Sequence, residues 1–97
     1  MYPRFIFMSG GEAANLDDEL ITLRDVERYD CLTNRWEKLP SLNMARCYHS
    51  SCTLGKMLYV LGGIDSNIEA INSIEKLCNI DRPAPLTSSR WQLIQLT

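Results

Sequence analysis

An all-β fold built from two repeated antiparallel units is what these 97 residues predict. Three observations carry that reading. An apolar run closed by a glycine pair occurs twice, as "RFIFMSGG" at residues 4–11 and "KMLYVLGG" at 56–63. Each is followed, in the same order, by an aliphatic-Glu step and an Arg-Trp pair. No window keeps a helical period for more than two turns.

The elements follow from the amino end. Met57–Leu61, and nearly the same thing within "RFIFMSGG", are continuous apolar runs bounded by turn residues, the pattern of strands covered on both faces. Gly10-Gly11 and Gly62-Gly63 close them, where the backbone needs positive φ or a neighbour comes too near for a side chain. A polar, acidic stretch, "EAANLDDELITLR", follows the first pair, and "IDSNIEA" follows the second. Leu16, Leu20 and Leu23 stand at i, i+4 and i+7 and are the nearest approach to helical spacing. That stretch is read as a loop holding at most one short helical turn. Val26-Glu27 and Ile74-Glu75, each with a bulky residue two beyond the glutamate (Tyr29, Leu77), mark a third strand with mixed faces. Arg35-Trp36 and Arg90-Trp91 mark a fourth, each after a turn-prone tract, Thr33-Asn34 or Thr87-Ser88-Ser89. Pro40 ends the first tryptophan strand. "CYHSSCTL" is then β-prone, and Gly55-Lys56 turns it back into the second glycine strand as a hairpin.

The landmarks repeat at offsets of 52 (glycine pair), 48 (glutamate) and 55 residues (tryptophan). Fixed strands joined by loops of variable length give that scatter. Four antiparallel strands in about fifty residues is the arithmetic of a β-propeller blade.

Composition narrows the function. With 45% hydrophobic and 23% charged residues the chain is not read as disordered. A net charge of -2 offers no basic field to nucleic acid or an anionic membrane. The amino-terminal apolar stretch is shorter than a signal-peptide core and no segment reaches the length of a membrane span, so a cytoplasmic location is expected. Cys31, Cys47, Cys52 and Cys78 form no C-x-x-C and are read as free thiols, some of them in the core. Asp17-Asp18-Glu19 lacks the spacing and turn glycine of a calcium loop. His49 stands beside Ser50 and Ser51, but no G-x-S-x-G elbow surrounds either serine. No Gly-Lys-Ser/Thr follows the glycine pairs, and Tyr48 and Trp36 lack the basic neighbours of a nucleic-acid platform.

"LYVLGG" (58–63), "VERYD" (26–30), "NRWEKLPSLNMAR" (34–46) and the "YHSSCTLGKMLYVLGG" that follows resemble the kelch repeat. The match is strongest from Val26 to Gly63. The second copy departs from the pattern: "SIEKLC" lacks the Tyr-Asp, and an insert with Pro83 and Pro85 precedes Arg90-Trp91. The resemblance implies two four-stranded antiparallel propeller blades, an incomplete β-propeller over residues 1–97. The first blade (4–46) lacks its opening strand, and the second (47–97) is degenerate toward its end. It implies structural roles for Gly10, Gly11, Glu27, Tyr29, Asp30, Trp36, Arg46, Gly62, Gly63, Glu75 and Trp91, with both tryptophans packed between blades.

The resemblance also implies a protein–protein interaction module that is not an enzyme and needs no cofactor. Intact relatives often serve as substrate adaptors for ubiquitin ligases or as cytoskeletal binders, and the adaptor role needs a further domain that these residues do not hold. Partner contact is expected from loops 12–24, 64–71 and 40–48, through Glu12, Asn15, Asp17, Asp18, Tyr48, Asp65, Asn67 and Glu69. Their acidic excess favours a basic or polar protein patch. Exposed blade flanks would also allow self-association. Two alternatives stand beside this reading. One is a truncated, non-functional piece. The other is part of an enzyme resembling galactose oxidase, whose copper site would lie elsewhere, because one histidine cannot supply several nitrogen ligands.

Overall fold

A computed structural model describes residues 4–83 and 90–95. All of its regular elements are strands: β1 (Phe5–Ser9), β2 (Glu12–Ala14), β3 (Leu20–Thr22), β4 (Val26–Asp30), β5 (Arg35–Leu39), β6 (Ser50–Leu54), β7 (Met57–Leu61), β8 (Ser73–Cys78) and β9 (Gln92–Gln95). They form a three-stranded sheet in the order β1-β4-β5, a four-stranded sheet β6-β7-β8-β9 and a small β2-β3 hairpin. Every pairing is antiparallel. The seven strands expected of the two repeats are therefore present in the expected order. Pro85 and the turn tract Thr87-Ser88-Ser89 lie outside the described residues. No helix among those residues is long and apolar enough to cross a membrane.

The β2-β3 hairpin replaces the expected loop or helical turn. Its register pairs Glu12 with Thr22, Ala13 with Ile21 and Ala14 with Leu20. The Leu16/Leu20/Leu23 spacing does not become a helical face, because Asn15 folds the chain back first. Its side-chain oxygen accepts from the Asp17 and Glu19 N–H groups at 2.9 and 3.0 Å. Asp18 then takes the left-handed conformation at φ 60°. A short polar side chain that closes its own turn competes directly with a helix.

Strand alternation gives each sheet two distinct faces. One face of the first sheet carries Phe7, Val26, Arg28 and Leu39; one face of the second carries Leu58, Val60, Glu75 and Leu77. Val26, Leu39, Leu42, Leu58, Val60, Leu77, Ile80 and Trp91 form the core between them, with Phe7 packed against it. The opposite faces are uncovered among the described residues. Ile6 is 56% exposed, Met8 58% and Trp36 53%. This corrects one expectation: the glycine strands are covered on one face only, since their burial alternates along the chain. Trp36 stands on an open face, whereas its counterpart Trp91 is 7% exposed. The difference is positional: Trp91 faces the first sheet, and Trp36 faces away from the second.

A charged joint crosses the same interface. The linker from β5 to β6 passes over the second sheet and delivers Arg46 to Glu75, Nη2 to Oε2 at 2.9 Å, with neither side chain exposed. Arg46 also donates to the Gly62 and Ser73 carbonyls and to the Ser73 hydroxyl. Glu75 accepts the Asn43 and Met44 backbone N–H groups at 2.6 and 3.1 Å. Trp91 donates its indole N–H to the Pro40 carbonyl at 2.7 Å. From the first sheet, the buried Arg28 reaches back to the Ile80 carbonyl at 2.8 Å.

Two outcomes follow for stability. E75Q leaves Arg46 buried without its counter-charge and is expected to cost about 3 kcal/mol. E27Q, at the matching position of the first sheet, should change stability by less than about 0.5 kcal/mol. Urea unfolding followed by tryptophan fluorescence measures both. Gly63 and Gly11 both adopt positive φ, 89° and 98°. A Cβ on Gly63 would lie 2.5 Å from the Cys47 carbonyl oxygen, while one on Gly11 would meet nothing within 4 Å. G11A should therefore cost about 1 kcal/mol, from backbone strain alone, and G63A about 3 kcal/mol in the same assay.

Candidate functional site

The loops after the two glycine pairs come together at one end of the stacked sheets. The returning linker joins them. Arg46 accepts the Gly11 N–H on its carbonyl at 2.8 Å, and Cys47 exchanges backbone hydrogen bonds with Ile64 at 3.0 and 2.9 Å. The Cys47 thiol donates to a Glu12 carboxylate oxygen at 3.3 Å. Burial, reinforced by that carboxylate, pushes the thiol above its ordinary range.

The two loops are the same structure built from different residues. Asp65 does in the second what Asn15 does in the first. Its carboxylate accepts from the Asn67 and Glu69 N–H groups at 2.8 and 3.1 Å. Its own N–H donates to the Glu69 carbonyl, as that of Asn15 does to Glu19. The Ala14–Leu20 strand pair corresponds to the isolated Ile64–Ala70 bridge. Ile68 takes the place of Asp18, with φ 61° against 60°. The second hairpin is the first with its strands cut back.

This sorts the expected partner residues. Asn15 and Asp65 use their side chains to hold the turns, and Glu12 is engaged with Cys47. Asp17, Asp18, Asn67, Glu69 and Tyr48 remain at the exposed end of the loops. Three apolar residues join them that the sequence reading passed over: Leu16, Leu20 and Ile68. Ile68 is the most unusual of these. It is β-branched and 80% exposed, yet it occupies a left-handed position that favours Gly or Asn. Its signal in the sequence was an isoleucine inside the turn-forming "DSNIEA". Tyr48 is likewise exposed at positive φ, 54°.

His49 lies beneath this end rather than on it. Its Nε2 is 3.0 Å from the Ser9 hydroxyl, so it pairs with the end of β1 and not with Ser50 or Ser51. Burial and the nearby Arg46 charge hold its pKa below the ordinary value, favouring the neutral ring. Its buried Nδ1 has no partner among the described residues. The pair fastens the linker to the first sheet. At the opposite side, a cleft of about 420 Å³ is lined by Arg4, Arg28, Asp30 and Glu37 among others. Four of its charges are matched in pairs. Arg4 forms two bonds to Asp30, holding that carboxyl far below the usual range, and Arg28 pairs with Glu37 at 2.7 Å.

Stacked antiparallel sheets, tied by a linker and ending in paired hairpin loops, define a β-propeller repeat array. The kelch motif model matches residues 16–43 and 45–78, more than half of the chain, and the chain belongs to the kelch-repeat family. It is similar to Kelch-like protein 36 of Bos taurus, 30% identical over 77 residues. That alignment covers 79% of this chain and 12% of the relative. Human Kelch-like protein 6 is 33% identical over 70 residues, covering 72% of this chain and 10% of its own. Kelch repeat protein M-T9 of Myxoma virus is 37% identical over 51 residues, covering 53% of this chain and 10% of its own. The chain thus spans about a tenth of the length of these relatives. A protein-interaction propeller module is the role such repeats support.

Replacing Ile68 with asparagine relieves the left-handed strain and is expected to stabilise the chain by about 1 kcal/mol. A rise in the urea midpoint with an unchanged slope would measure it.

Proposed function

We propose that the paired hairpin loops are the surface with which this kelch module holds a protein partner. The observation that carries the reading is the strained, exposed Ile68. An apolar residue kept where it weakens the fold is a mark of a surface selected for contact. On the two hairpins and the linker beside them, the exposed Leu16, Leu20 and Tyr48 supply apolar area, and Asp17, Asp18 and Glu69 supply negative charge. The partner patch that fits is basic at its rim and apolar at its centre. The role is non-catalytic binding, such as presenting a substrate protein or attaching to a cytoskeletal one.

The test compares proteins retained by the wild-type chain with those retained by D17K/D18K and by I68N. A direct partner of the loops is expected to be lost from the charge-swapped protein by about tenfold or more, and to be weakened by I68N even though that variant is more stable. Retention that is indifferent to both substitutions would overturn the proposal.

A further inference from the structure

We infer that the cleft at the end of the sheets away from the hairpin loops is a binding site for a single carboxylate borne on a small apolar body. The inner face of the first sheet changes character row by row toward that end. Nearest the glycine pair the row is Ser9, Val26 and Leu39, and the last two belong to the core. The next row is Phe7, Arg28 and Glu37, and the last is Phe5, Asp30 and Arg35. Aliphatic side chains thus give way, on one face, to guanidinium and carboxylate groups beside a phenyl ring. Asp81 and Pro83, from the segment after β8, complete the lining. At about 420 Å³ the cleft is of ligand size.

Its groups are held in place by the fold itself. Arg28 and Asp30 are 1% and 2% exposed. Arg28 uses Nε on Glu37 and Nη1 on the Ile80 carbonyl, and its guanidinium carbon lies 4.1 Å from the centre of the Phe5 ring. Its Nη2 makes no hydrogen bond among the described residues. Asp30 holds Arg4 and also the turn that leads into β5. The Leu32 N–H donates to its carboxylate at 3.0 Å, and the Asn34 N–H donates to its carbonyl at 2.8 Å. Asn34, at φ 59°, then delivers Arg35 to the rim. Groups fixed in this way lose little freedom on engaging a ligand.

The balance of charge specifies the ligand. Among the described residues, three arginines and three carboxylates line the cleft. Arg4 is matched by Asp30 and Arg28 by Glu37, while Asp81 faces Lys56 at 3.8 Å. The exposed Arg35 makes no hydrogen bond or ion pair among the described residues. It is the diagonal neighbour of Arg28 across the β4-β5 pair. That spacing is about 7–8 Å, within reach of long side chains, so one carboxylate can meet both guanidinium groups. One uncommitted cation calls for one negative charge. A phosphate dianion would also meet Asp30, Glu37 and Asp81, whose repulsion disfavours it. The Phe5 ring and Pro83 offer apolar surface to the body of the ligand. The site is separate from the hairpin loops, and the inference does not depend on the partner reading given above.

The probe is benzoate added to the full chain, with benzamide as its uncharged counterpart. Proton–nitrogen NMR follows the Arg28 Nε–H and the Asn34 amide. Both resonances are expected to move and saturate at millimolar benzoate, while the Asn67 and Ile68 amides stay in place. R35Q should weaken benzoate about tenfold, with an unchanged Trp91 indole resonance reporting that the variant is folded. Shifts that do not saturate, an equal response to benzamide, or an affinity unchanged in R35Q would overturn the proposal. So would inorganic phosphate binding more tightly than benzoate, which would make the site one for a dianion.

Discussion

The joint between Arg46 and Glu75 is the contact on which the arrangement of the two sheets depends. Each sheet is a few short strands with an apolar face that the other sheet covers. Burial of Val26, Leu39, Leu58, Val60 and Leu77 supplies the attraction but is non-directional. The ion pair supplies direction. Both charges are fully removed from water, and that is tolerable only in one geometry, with Asn43 and Met44 serving the carboxylate and Ser73 and Gly62 serving the guanidinium. The linker is thereby placed, and with it the hairpin loops that hydrogen-bond to Arg46 and Cys47. The hairpin-loop end of the module inherits its geometry from a charge pair buried beneath it.

Much of the fold was legible in the residues. The aliphatic-Glu steps and Arg35-Trp36 lie in strands, the glycine pairs follow directly on β1 and β7, and Arg90-Trp91 stands just before β9, because each reflects a local demand: an alternating face, a positive φ, a turn. Glu75 and Arg46 were recognisable as recurring or motif residues. Their union was not, since it joins positions 29 residues apart through the packing of one sheet on another. The same limit explains Trp36 and Trp91. Their local sequences are alike, and only the presence of a covering sheet separates an open ring from a buried one.

The loops were less legible. Asn15, Asp17 and Asp65 all read as acidic or amide loop residues, yet Asn15 and Asp65 close turns while Asp17 projects outward. The distinction rests on which side-chain oxygen meets a backbone N–H, and composition does not encode it. The leucine spacing pointed toward a helical turn because three apolar residues of a hairpin happened to fall at helical intervals. The relation between the two hairpins emerged only through matching hydrogen bonds, because an Asn became an Asp and an Asp became an Ile between the copies.

The carboxylate at Glu27, paired in register with Met8, bears on what the uncovered face refuses. An apolar sheet surface of this kind ordinarily adheres to any other, and strand-rich proteins need some guard against that. A surface that lands on Ile6, Met8 and Trp36 without a cation must strip water from Glu27 and leave it unpaired, at a cost of several kcal/mol. Indiscriminate stacking is penalised. One acidic residue set in an apolar face thereby works against aggregation through it.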